Sequence, residues 1–479
     1  MSYPKNTPPR ILKTFKRLES ERGKKLQLNR IDNRYYLYEP VSEWDREKKK
    51  ASKKTRYMGS IQSNGLFIPR RVRSSLRETK REVFEYGNGA LAHHLLRDAE
   101  EMLKDQPNHR TLMACAIIQA IHPTPIRLLA SRWEKLHLST SFPVSLSPRH
   151  VSNVLHDTGK NVYWWYDFFS KLMNGSDLLL YDLTAVFTHS EKLVFAERGY
   201  NPDHLYYDQI SVVMAFSSSD SIPVGMDVFY GSVRDIATIR DFLERLPETK
   251  GIGFIFDRGF SSYKLLDDFR KENIHYLVPL KKNSVLFDLR WIRWKDPFLY
   301  RERPIRWGVK KTKYGRLYIF EDPVLRGEQD AALLRKLEKG EIDRNTYEEK
   351  KRLAGIIGII SDLDKNGIDI YDLYKGRVDV EKAFDAMKNV LEADKTNLQT
   401  PESVRGYFFV TFLALRVYFG ILKRLREKKL TTKISVEEVL FELSKVVRIV
   451  EPNGREYAAK IPKRAMRILE LFPEISPMV

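Results

Sequence analysis

The chain has 479 residues, and 42% of them are hydrophobic. A chain of this size holds about two to four domains, and its hydrophobic fraction suffices for packed cores and excludes a disordered protein. The formal net charge of +20 indicates a polyanionic partner, with nucleic acid the first candidate and a membrane surface the second. The single cysteine, Cys115, excludes a disulfide framework and a cysteine zinc site within the chain, which suits a reducing cytoplasm.

Positive charge is densest near the N-terminus, where residues 1–60 contain 17 Lys and Arg against 7 Asp and Glu. Residues 33–39 alternate like a strand, and a lysine-rich loop separates them from residues 57–61, which predicts a β-hairpin with a basic tip. The tyrosines in these strands favour contact with phosphates over the alternative, a solvated charge run. We therefore predict that residues 1–70 form a basic, DNA-contacting region.

The next hundred residues carry helical periodicity punctuated by prolines. The last predicted helix begins at Ser147 as its cap and, with the helix before it, resembles a helix-turn-helix; this motif is weak because helical pairs of this kind are common. The apolar repeats predict helices over residues 82–104, 110–121, 125–136 and 149–158.

Strand patterns replace helical ones from residue 178 onward. Residues 178–186 are an apolar run that carries one acid, Asp182, and a charge there is costly unless something pairs with it or uses it. Two further strands, at residues 209–216 and 223–230, complete a predicted meander. A helix, a short buried strand ending at Asp257, a second helix and a further strand follow, at residues 234–246, 253–256, 261–272 and 275–279.

Asp182 and Asp257 are two acids at the ends of two of these buried strands. Taken singly, each reads as a strand-end cap or an ion-pair partner. As a pair in this topology they predict a metal site, because magnesium prefers carboxylate oxygens and keeps waters for a substrate.

A basic and aromatic segment interrupts the strand and helix alternation between residues 281 and about 354. Residues 281–320 contain 12 Lys and Arg against 3 acids, and two strand patterns flanking Tyr314-Gly315 predict a hairpin. Interleaved basic and aromatic residues favour backbone contact and base stacking, whereas the alternative is a small sheet whose aromatics are core. The tryptophans considered for stacking are Trp291, Trp294 and Trp307.

Four polar side chains align if residues 371–388 form one helix. Tyr374, Arg377, Glu381 and Lys388 are spaced by three, four and seven, and these steps nearly superimpose at 3.6 residues per turn. An apolar stripe beside them places the polar stripe at the edge of a buried face. The alternative is an ordinary amphipathic helix with a surface pair between Arg377 and Glu381.

Two other acids of this segment, Asp379 and Asp385, point away from the polar stripe, and we exclude them from the metal site. Asp369 is expected to cap the helix. The segment is preceded by a buried strand over residues 356–361 and followed by helices in the C-terminal region. The long apolar run at residues 406–422 contains Arg416 and predicts a buried helix, not a membrane span.

The order of the acids Asp182, Asp257 and Glu381 resembles that of the DDE transposases of bacterial and archaeal insertion sequences. Within them the chain is similar to the superfamily with a Tyr, Arg, Glu, Lys signature around the third acid. The matching residues are Tyr374, Arg377, Glu381 and Lys388 for the signature, Asp257-Arg258-Gly259-Phe260 for the second acid, Tyr181-Asp182-Leu183-Thr184 for the first acid, and the segments Arg198 to His204 and Pro223 to Gly231.

The resemblance implies an α/β ribonuclease H-like catalytic core with a basic β-rich insertion, flanked by mainly α N- and C-terminal regions. We accordingly expect end-DNA binding by a helical domain, a catalytic domain in two segments, an insertion and a C-terminal helical region. Their predicted bounds are residues 71–174, 175–283 with 355–400, 284–354, and 401–479.

The implied chemistry is metal-dependent cutting and joining of DNA. Asp182, Asp257 and Glu381 would bind Mg²⁺ or Mn²⁺, with two ions in each site, for in-line displacement by water and then by a 3′-hydroxyl. Phosphates near the scissile bond would be held by Tyr374, Arg377, Lys388 and Arg258. Related enzymes pass through hairpin ends with a flipped base on an aromatic residue, a role open to the three tryptophans.

The implied partners are double-stranded DNA, as terminal inverted repeats and target, and a second copy of the chain when DNA is bound. No membrane association is expected, and the expected location is the cytoplasm of a prokaryote, at the nucleoid. Two alternatives stay open: a DNA-binding protein derived from a transposase that no longer cuts, and a structure-specific nuclease of the same fold without strand transfer.

Overall fold

The computed structural model describes residues 3–32, 34–45, 50–70, 81–174, 178–188, 190, 192–199, 207–233, 235–247 and 251–475. Internal contacts divide the chain into two compact units. The first comprises Met1–Glu82 and Ile449–Tyr457, and the second comprises Val83–Arg448 and Ala458–Val479.

The first unit is a helix on an antiparallel sheet with strand order β1-β2-β3-β4. Apolar side chains of the helix and of one sheet face form its core, including Ile11, Phe15, Leu28 and Leu37. The predicted β-hairpin is confirmed as β2 and β3, although its basic tip at residues 46–49 lies outside the described residues. The elements are α1 (Pro9–Arg22), β1 (Gln27–Ile31), β2 (Arg34–Asp45), β3 (Lys50–Ile61) and β4 (Phe67–Pro69).

Helices dominate the start of the second unit, as the periodicity predicts. Ser147 caps its helix by accepting a hydrogen bond from the His150 N–H, as expected. The predicted helix over 82–104 is wrong at its start, where β5 (Glu82–Glu85) forms instead. The helices are α2 (Gly87–Leu95), α3 (Arg97–Leu103), α4 (His109–Ile121), α5 (Leu129–Trp133), α6 (Leu138–Ser141), α7 (Pro148–Lys160) and α8 (Tyr163–Met173).

A large mixed sheet follows, and its elements agree closely with the predicted strands and helices. The predicted meander is confirmed, because the second strand pairs antiparallel with both the first and the third. The elements are β6 (Leu178–Thr188), β7 (Glu197–Arg198), β8 (Asp208–Ser217), β9 (Pro223–Tyr230), α9 (Asp235–Arg245), β10 (Gly253–Ile255), α10 (Tyr263–Lys271) and β11 (His275–Pro279).

The basic segment after β11 extends this same sheet. Its predicted hairpin is confirmed, and the second strand of the hairpin pairs with the strand that returns to the core, so the sheet runs on without a break. The elements are β12 (Lys295–Tyr300), β13 (Arg303–Thr312), β14 (Gly315–Glu321), α11 (Pro323–Glu338), α12 (Arg344–Arg352) and β15 (Ile356–Ser361).

The strand order of the sheet is β12-β13-β14-β15-β11-β10-β6-β8, with β9 and β7 both on the far edge of β8. Strands β6, β10 and β11 are parallel neighbours, whereas the remaining pairs named in this order are antiparallel. The carboxyl ends of the three parallel strands therefore open at one edge of the sheet.

Helices close the chain, with short strands among them. The long helix approaches α7 so closely that a Cβ on Gly406 would lie 1.9 Å from the Leu155 carbonyl oxygen. The elements are α13 (Gly367–Gly376), α14 (Val378–Asp385), β16 (Lys395–Thr396), α15 (Pro401–Glu427), α16 (Val436–Ser444), β17 (Val447–Val450), β18 (Glu456–Ala458) and α17 (Lys463–Leu469).

The long helix α15 is buried over much of its length, as the Arg416 argument predicts. Arg416 is 6% exposed and donates hydrogen bonds to the Pro223 carbonyl oxygen and to Asp98. Within the described part of the chain, no single helix is long and apolar enough to cross a membrane. One strongly bent pair, His109–Ile121 with Ile126–Trp133, passes that test by length and composition.

Candidate active site

Asp182 and Asp257 lie at corresponding positions of two neighbouring parallel strands. Leu180 of β6 pairs with Ile255 of β10, and each aspartate comes two residues after its paired residue. Adjacent strands are about 4.8 Å apart, and the next residues of a strand alternate between its faces. The two carboxylates are therefore brought together at the carboxyl end of the parallel strands.

Tyr181 explains why the Asp182 carboxylate is directed to the other face of the sheet. Tyr181 is fully buried and packs edge-on against aromatic rings that include Phe242 and Phe256. Because successive side chains of a strand alternate, Asp182 faces the opposite layer. That layer contains α14, which contacts β6 and β8.

Glu381 lies on α14, whose apolar side is buried through Val380, Ala383 and Phe384. Its side chain is 51% exposed. Burial of the neighbouring residues fixes the helix on the sheet, and Glu381 projects from the edge of the packed face toward the two aspartates. The third acid thus joins the other two, as the polar stripe predicts.

The prediction of one regular helix over residues 371–388 is wrong. Helix α13 ends at Gly376, α14 begins at Val378, and Ala386–Val390 form a π-helical turn. The expected cap Asp369 is also wrong, because the Asn366 side chain caps α13 by accepting from the Asp369 N–H. Lys388 lies in the π-helical turn, which winds differently from the α-helical stripe.

Arg377 occupies the joint between the two helices and holds two of the acids. Its guanidinium forms an ion pair with Asp257 and a second with Glu381, at 2.8 Å from the Glu381 Oε1. The Arg377 side chain is 19% exposed, so these ion pairs are partly shielded from water. An ordinary amphipathic helix would have only an exposed surface pair between Arg377 and Glu381, whereas here Arg377 also pairs with Asp257.

The charges around Arg377 shift the pKa of its neighbour Asp182. Burial, and to a smaller extent the nearby negative charges of Asp257 and Glu381, raise the pKa of the Asp182 carboxyl to about 7. The Leu183 N–H, which donates to Asp182 at 2.9 Å, and the Arg377 guanidinium oppose that rise. Strong perturbation of a carboxyl by burial and specific charges is typical of functional sites.

The donor chemistry of this site fits a divalent cation. Three carboxylates surround one guanidinium, whose own pKa they raise although burial alone would lower it. Carboxylate oxygens are the ligands that Mg²⁺ and Mn²⁺ prefer. In the part of the chain that the structure describes, no three acidic, histidine or cysteine side chains are grouped tightly enough to hold a metal. The Arg377 guanidinium is the positive charge that these carboxylates face.

Two of the other predicted phosphate ligands, Tyr374 and Arg258, adjoin Arg377 and Asp257. The Tyr374 ring is half-buried, and the Arg377 guanidinium lies 6.0 Å from its centroid. Arg258 directly follows Asp257 and is exposed, whereas Lys388 is half-buried. The excluded Asp379 pairs with Arg426 at 2.7 Å.

A lysine or arginine side chain lies over the ring of each tryptophan considered for stacking. The charged atoms of Lys310, Arg306 and Lys295 lie 5.2, 4.9 and 4.5 Å from the ring centroids of Trp291, Trp294 and Trp307, respectively. Their exposure differs: Trp294 is 39% exposed and Trp307 only 8%. Trp307 also packs so closely on Gly367 that a Cβ there would meet its ring at 2.1 Å.

Lys282 was not among the predicted site residues, although it lies beside them. Its ammonium donates to the Gln329 side chain and to the Leu353 carbonyl oxygen, and burial, together with the Arg258 charge, lowers its pKa. A sequence signal was available, since Lys282 follows β11, the parallel neighbour of the strand that precedes Asp257. It lies at the same edge of the sheet as the acids.

Known proteins resemble this chain to different degrees. No curated protein matches the chain. A cryo-EM structure of the piggyBac transposase synaptic complex with hairpin DNA is similar over 77% of this chain and 82% of that chain, with 11% identity. Its TM-score of 0.38 is too low to carry an argument.

A family model gives a direct assignment. The model of the transposase DDE domain matches residues 174–417, which contain all three acids and the signature residues from Tyr374 to Lys388. The match spans just over half of the 479 residues. The chain therefore belongs to the DDE transposases.

Proposed function

We propose that the protein is the transposase of an insertion sequence, and that it hydrolyses and then transfers DNA strands at the element's ends by a cut-and-paste route. The observation that carries the proposal is the convergence of Asp182, Asp257 and Glu381 on one guanidinium. Three acids kept together beside a parallel sheet are costly for a protein that only binds DNA, because their mutual repulsion opposes folding.

Sheet topology supports a ribonuclease H-like core for this activity. The order β9-β8-β6-β10-β11 combines an antiparallel meander with two parallel strands on the other side of β6. The first acid lies on the central strand and the second follows its parallel neighbour. This order supports the roles that the resemblance implies for the two acids.

The chain's own residues would divide the work as follows. Asp182, Asp257 and Glu381 would hold two Mg²⁺ or Mn²⁺ ions, which would supply activation of the attacking oxygen and stabilisation of the leaving oxygen. Arg377 would turn from the acids to a phosphate, where its planar fork can bind two oxygens. Tyr374, Lys388 and Arg258 would hold phosphates on either side.

DNA binding is proposed for the two N-terminal regions and for the basic insertion. Residues 1–70 and 71–174 would contact the terminal inverted repeats, and residues 284–354 would contact DNA near the cut. Two copies of the chain would bridge two DNA ends. The charge of the N-terminal region supports DNA binding, since 17 Lys and Arg lie in residues 1–60. Basic clusters of this kind bind the phosphate backbone.

Metal-dependent cleavage of the element's own ends tests the proposal. The DNA that flanks the coding sequence is incubated with the full-length protein and Mg²⁺ or Mn²⁺, and with EDTA in a parallel reaction. We expect strand cleavage at the flanking inverted repeats with either metal and none with EDTA. Binding without cleavage would favour the retired DNA-binding protein, and cleavage without joining would favour a nuclease.

Trp294 is the tryptophan that we expect to act in hairpin formation, because it is the most exposed of the three candidates. Trp294→Ala should slow the appearance of hairpin ends on denaturing gels roughly tenfold, since stacking of a base on an aromatic ring contributes about 1–3 kcal/mol. Trp294→Phe, which keeps an aromatic face, should restore most of the rate.

Trp307→Ala serves as the contrasting variant. Trp307 is buried against Gly367, so its removal should lower the free energy of unfolding by about 3–5 kcal/mol. Thermal unfolding measures that loss. If Trp294→Ala and Trp291→Ala form hairpins at the wild-type rate, the stacking role is refuted.

A further inference from the structure

The sheet of the first unit has two faces of different chemistry. One face packs on α1 and contains Leu28, Tyr35, Leu37 and Ile61, all at most 5% exposed. Strand residues alternate between faces, so the residues between these belong to the other side. That second side has no part in the core of the unit.

The register aligns the second side in rows across three strands. Gln27 of β1, Tyr38 of β2 and Tyr57 of β3 form one row, because Gln27 pairs with Tyr38 and Tyr38 with Tyr57. Asn29, Tyr36 and Ser60 form the next row by the same pairings. We call this surface the tyrosine face, and it consists of Gln27, Asn29, Tyr36, Tyr38, Tyr57 and Ser60.

Side chains on the tyrosine face hold one another in place. The Tyr57 ring lies 6.0 Å from Tyr36 and 5.5 Å from Tyr38, with an angle of 53° between the ring planes in both pairs. The Gln27 side-chain amide donates to the Asn29 side-chain oxygen at 3.2 Å. The six residues are each half-buried. Because the rings are half-buried and tilted against one another, the face offers ring edges, hydroxyls and amides to a partner.

Charge identifies the class of partner. Residues 1–82 contain 23 Lys and Arg against 9 Asp and Glu, an excess of 14 out of the chain's +20. The tyrosine face itself contains no acid. The exposed Arg34, the first residue of β2, pairs with Ile31 and continues this face. A neutral, hydrogen-bonding surface within a strongly basic unit suits a nucleic acid, whose backbone is negatively charged and whose bases carry hydrogen-bond donors and acceptors.

Duplex DNA fits this surface better than single strands. Single strands are held mainly by bases stacked on open ring faces, whereas these three tyrosine rings are half-buried and tilted against one another. Three strands span about 10 Å at about 4.8 Å spacing, close to the ~12 Å width of the major groove. Asn and Gln amides pair with adenine edges there.

We propose that the tyrosine face of β1, β2 and β3 lies in the major groove of duplex DNA and reads the sequence of the element's ends, with Gln27 and Asn29 contacting base edges. The proposal rests on the transposase function proposed above. It assigns sequence recognition to a sheet and not to the weak helix-turn-helix pattern that includes the helix beginning at Ser147.

Paired binding measurements test this assignment. Full-length protein is titrated, in EDTA so that no cutting occurs, with 30-bp duplexes from the flanking inverted repeats and with scrambled duplexes of equal composition. Gln27→Ala and Asn29→Ala should each lower the preference for end DNA roughly tenfold or more, because one good base contact gives about that discrimination. Tyr38→Phe keeps the ring packing and removes one hydroxyl, so a smaller loss is expected.

Arg34→Ala is the matched control, since it removes a charge from the neighbouring strand on the same side of the sheet. It should weaken binding to both duplexes equally and reduce the salt dependence by about one counterion, as loss of a phosphate contact does. Ser20→Ala, at an exposed position of α1, should change neither property. Equal unfolding temperatures of the variants exclude a folding defect.

The possible failures are separable. If the wild-type protein shows no preference for end DNA, the proposed function fails with the inference. If the wild type prefers end DNA and the Gln27 and Asn29 variants prefer it equally, the sheet assignment alone is overturned. Tighter binding of single-stranded DNA or of RNA than of the end duplex would also overturn it.

Discussion

Asp257→Asn is expected to lower the rate of metal-dependent DNA cleavage by about a thousandfold or more, and Asp182→Asn and Glu381→Gln should do the same. Each change removes one negative charge from a site where three carboxylates would hold the same metal ions. Loss of a single electrostatic contributor in an active site lowers the rate about 10²–10³-fold or more. Cleavage of end DNA in single-turnover reactions with Mg²⁺ or Mn²⁺ measures the loss.

Asp385→Asn is the matched control for these variants. Asp385 lies on the same helix as Glu381, is exposed, and accepts a hydrogen bond from Asn389 at 2.6 Å, so its replacement makes the same charge change away from the centre. It should cleave at close to the wild-type rate. Cleavage that persists in all three site variants would refute the assignment of these acids.

The binding of DNA must survive in the site variants if the losses are catalytic. Asp257→Asn breaks an ion pair with Arg377, and we expect only a modest change in unfolding temperature because the Asp257 side chain is 43% exposed. Near-normal affinity for end DNA together with lost cleavage separates a chemical role from a structural one.

Much of the catalytic core is predictable because its strands are short apolar runs with abrupt ends. Residues 178–186, 223–230 and 356–361 contain little besides apolar side chains, and each is a strand in the structure. An acid in or just after such a run stands out, which draws attention to Asp182 and Asp257. Asp227 in residues 223–230 carries the same signal but is a buried acceptor for Tyr166 and Arg245. The closeness of Asp182 and Asp257 follows from the parallel register of β6 and β10.

Local patterns could not predict the joint at Arg377. An apolar and polar stripe at helical spacing looks the same whether the backbone is continuous or interrupted, since the break at Gly376 and the π-helical turn at Ala386–Val390 change hydrogen bonding and not residue type. The sequence pattern of the β13–β14 hairpin also does not reveal which strand pairs with the free edge of β14. The pairing of β14 with β15, which joins the basic segment to the core sheet, is a long-range contact.

The role of Arg377 shows what only the structure adds. Spacing alone allowed a surface ion pair or a phosphate ligand. In the structure its guanidinium lies between Asp257 and Glu381 and interacts with Asp182 as well. We therefore expect two effects of opposite sign when Arg377 is removed. The affinity of the acids for a metal cation should rise, because the guanidinium no longer competes for them, and the contact with a DNA phosphate should be lost.

Arg377→Ala should tighten Mn²⁺ binding in the absence of DNA roughly tenfold, because it removes a positive charge within ion-pair distance of two of the acids. The same variant should cleave end DNA about a hundredfold more slowly at saturating Mn²⁺, because the phosphate contact is lost. Titration of Mn²⁺ by its electron paramagnetic resonance signal gives the first quantity, and single-turnover cleavage gives the second.

Arg377→Lys distinguishes charge from geometry in this prediction. Lysine keeps the positive charge but not the planar fork, so Mn²⁺ affinity should stay near that of the wild type while cleavage recovers only in part. Weaker Mn²⁺ binding by Arg377→Ala would contradict the competition, since it would mean that the guanidinium holds Asp257 and Glu381 in place for the metal. Tighter metal binding with slower cleavage is the result that only a guanidinium shared between acids and DNA explains.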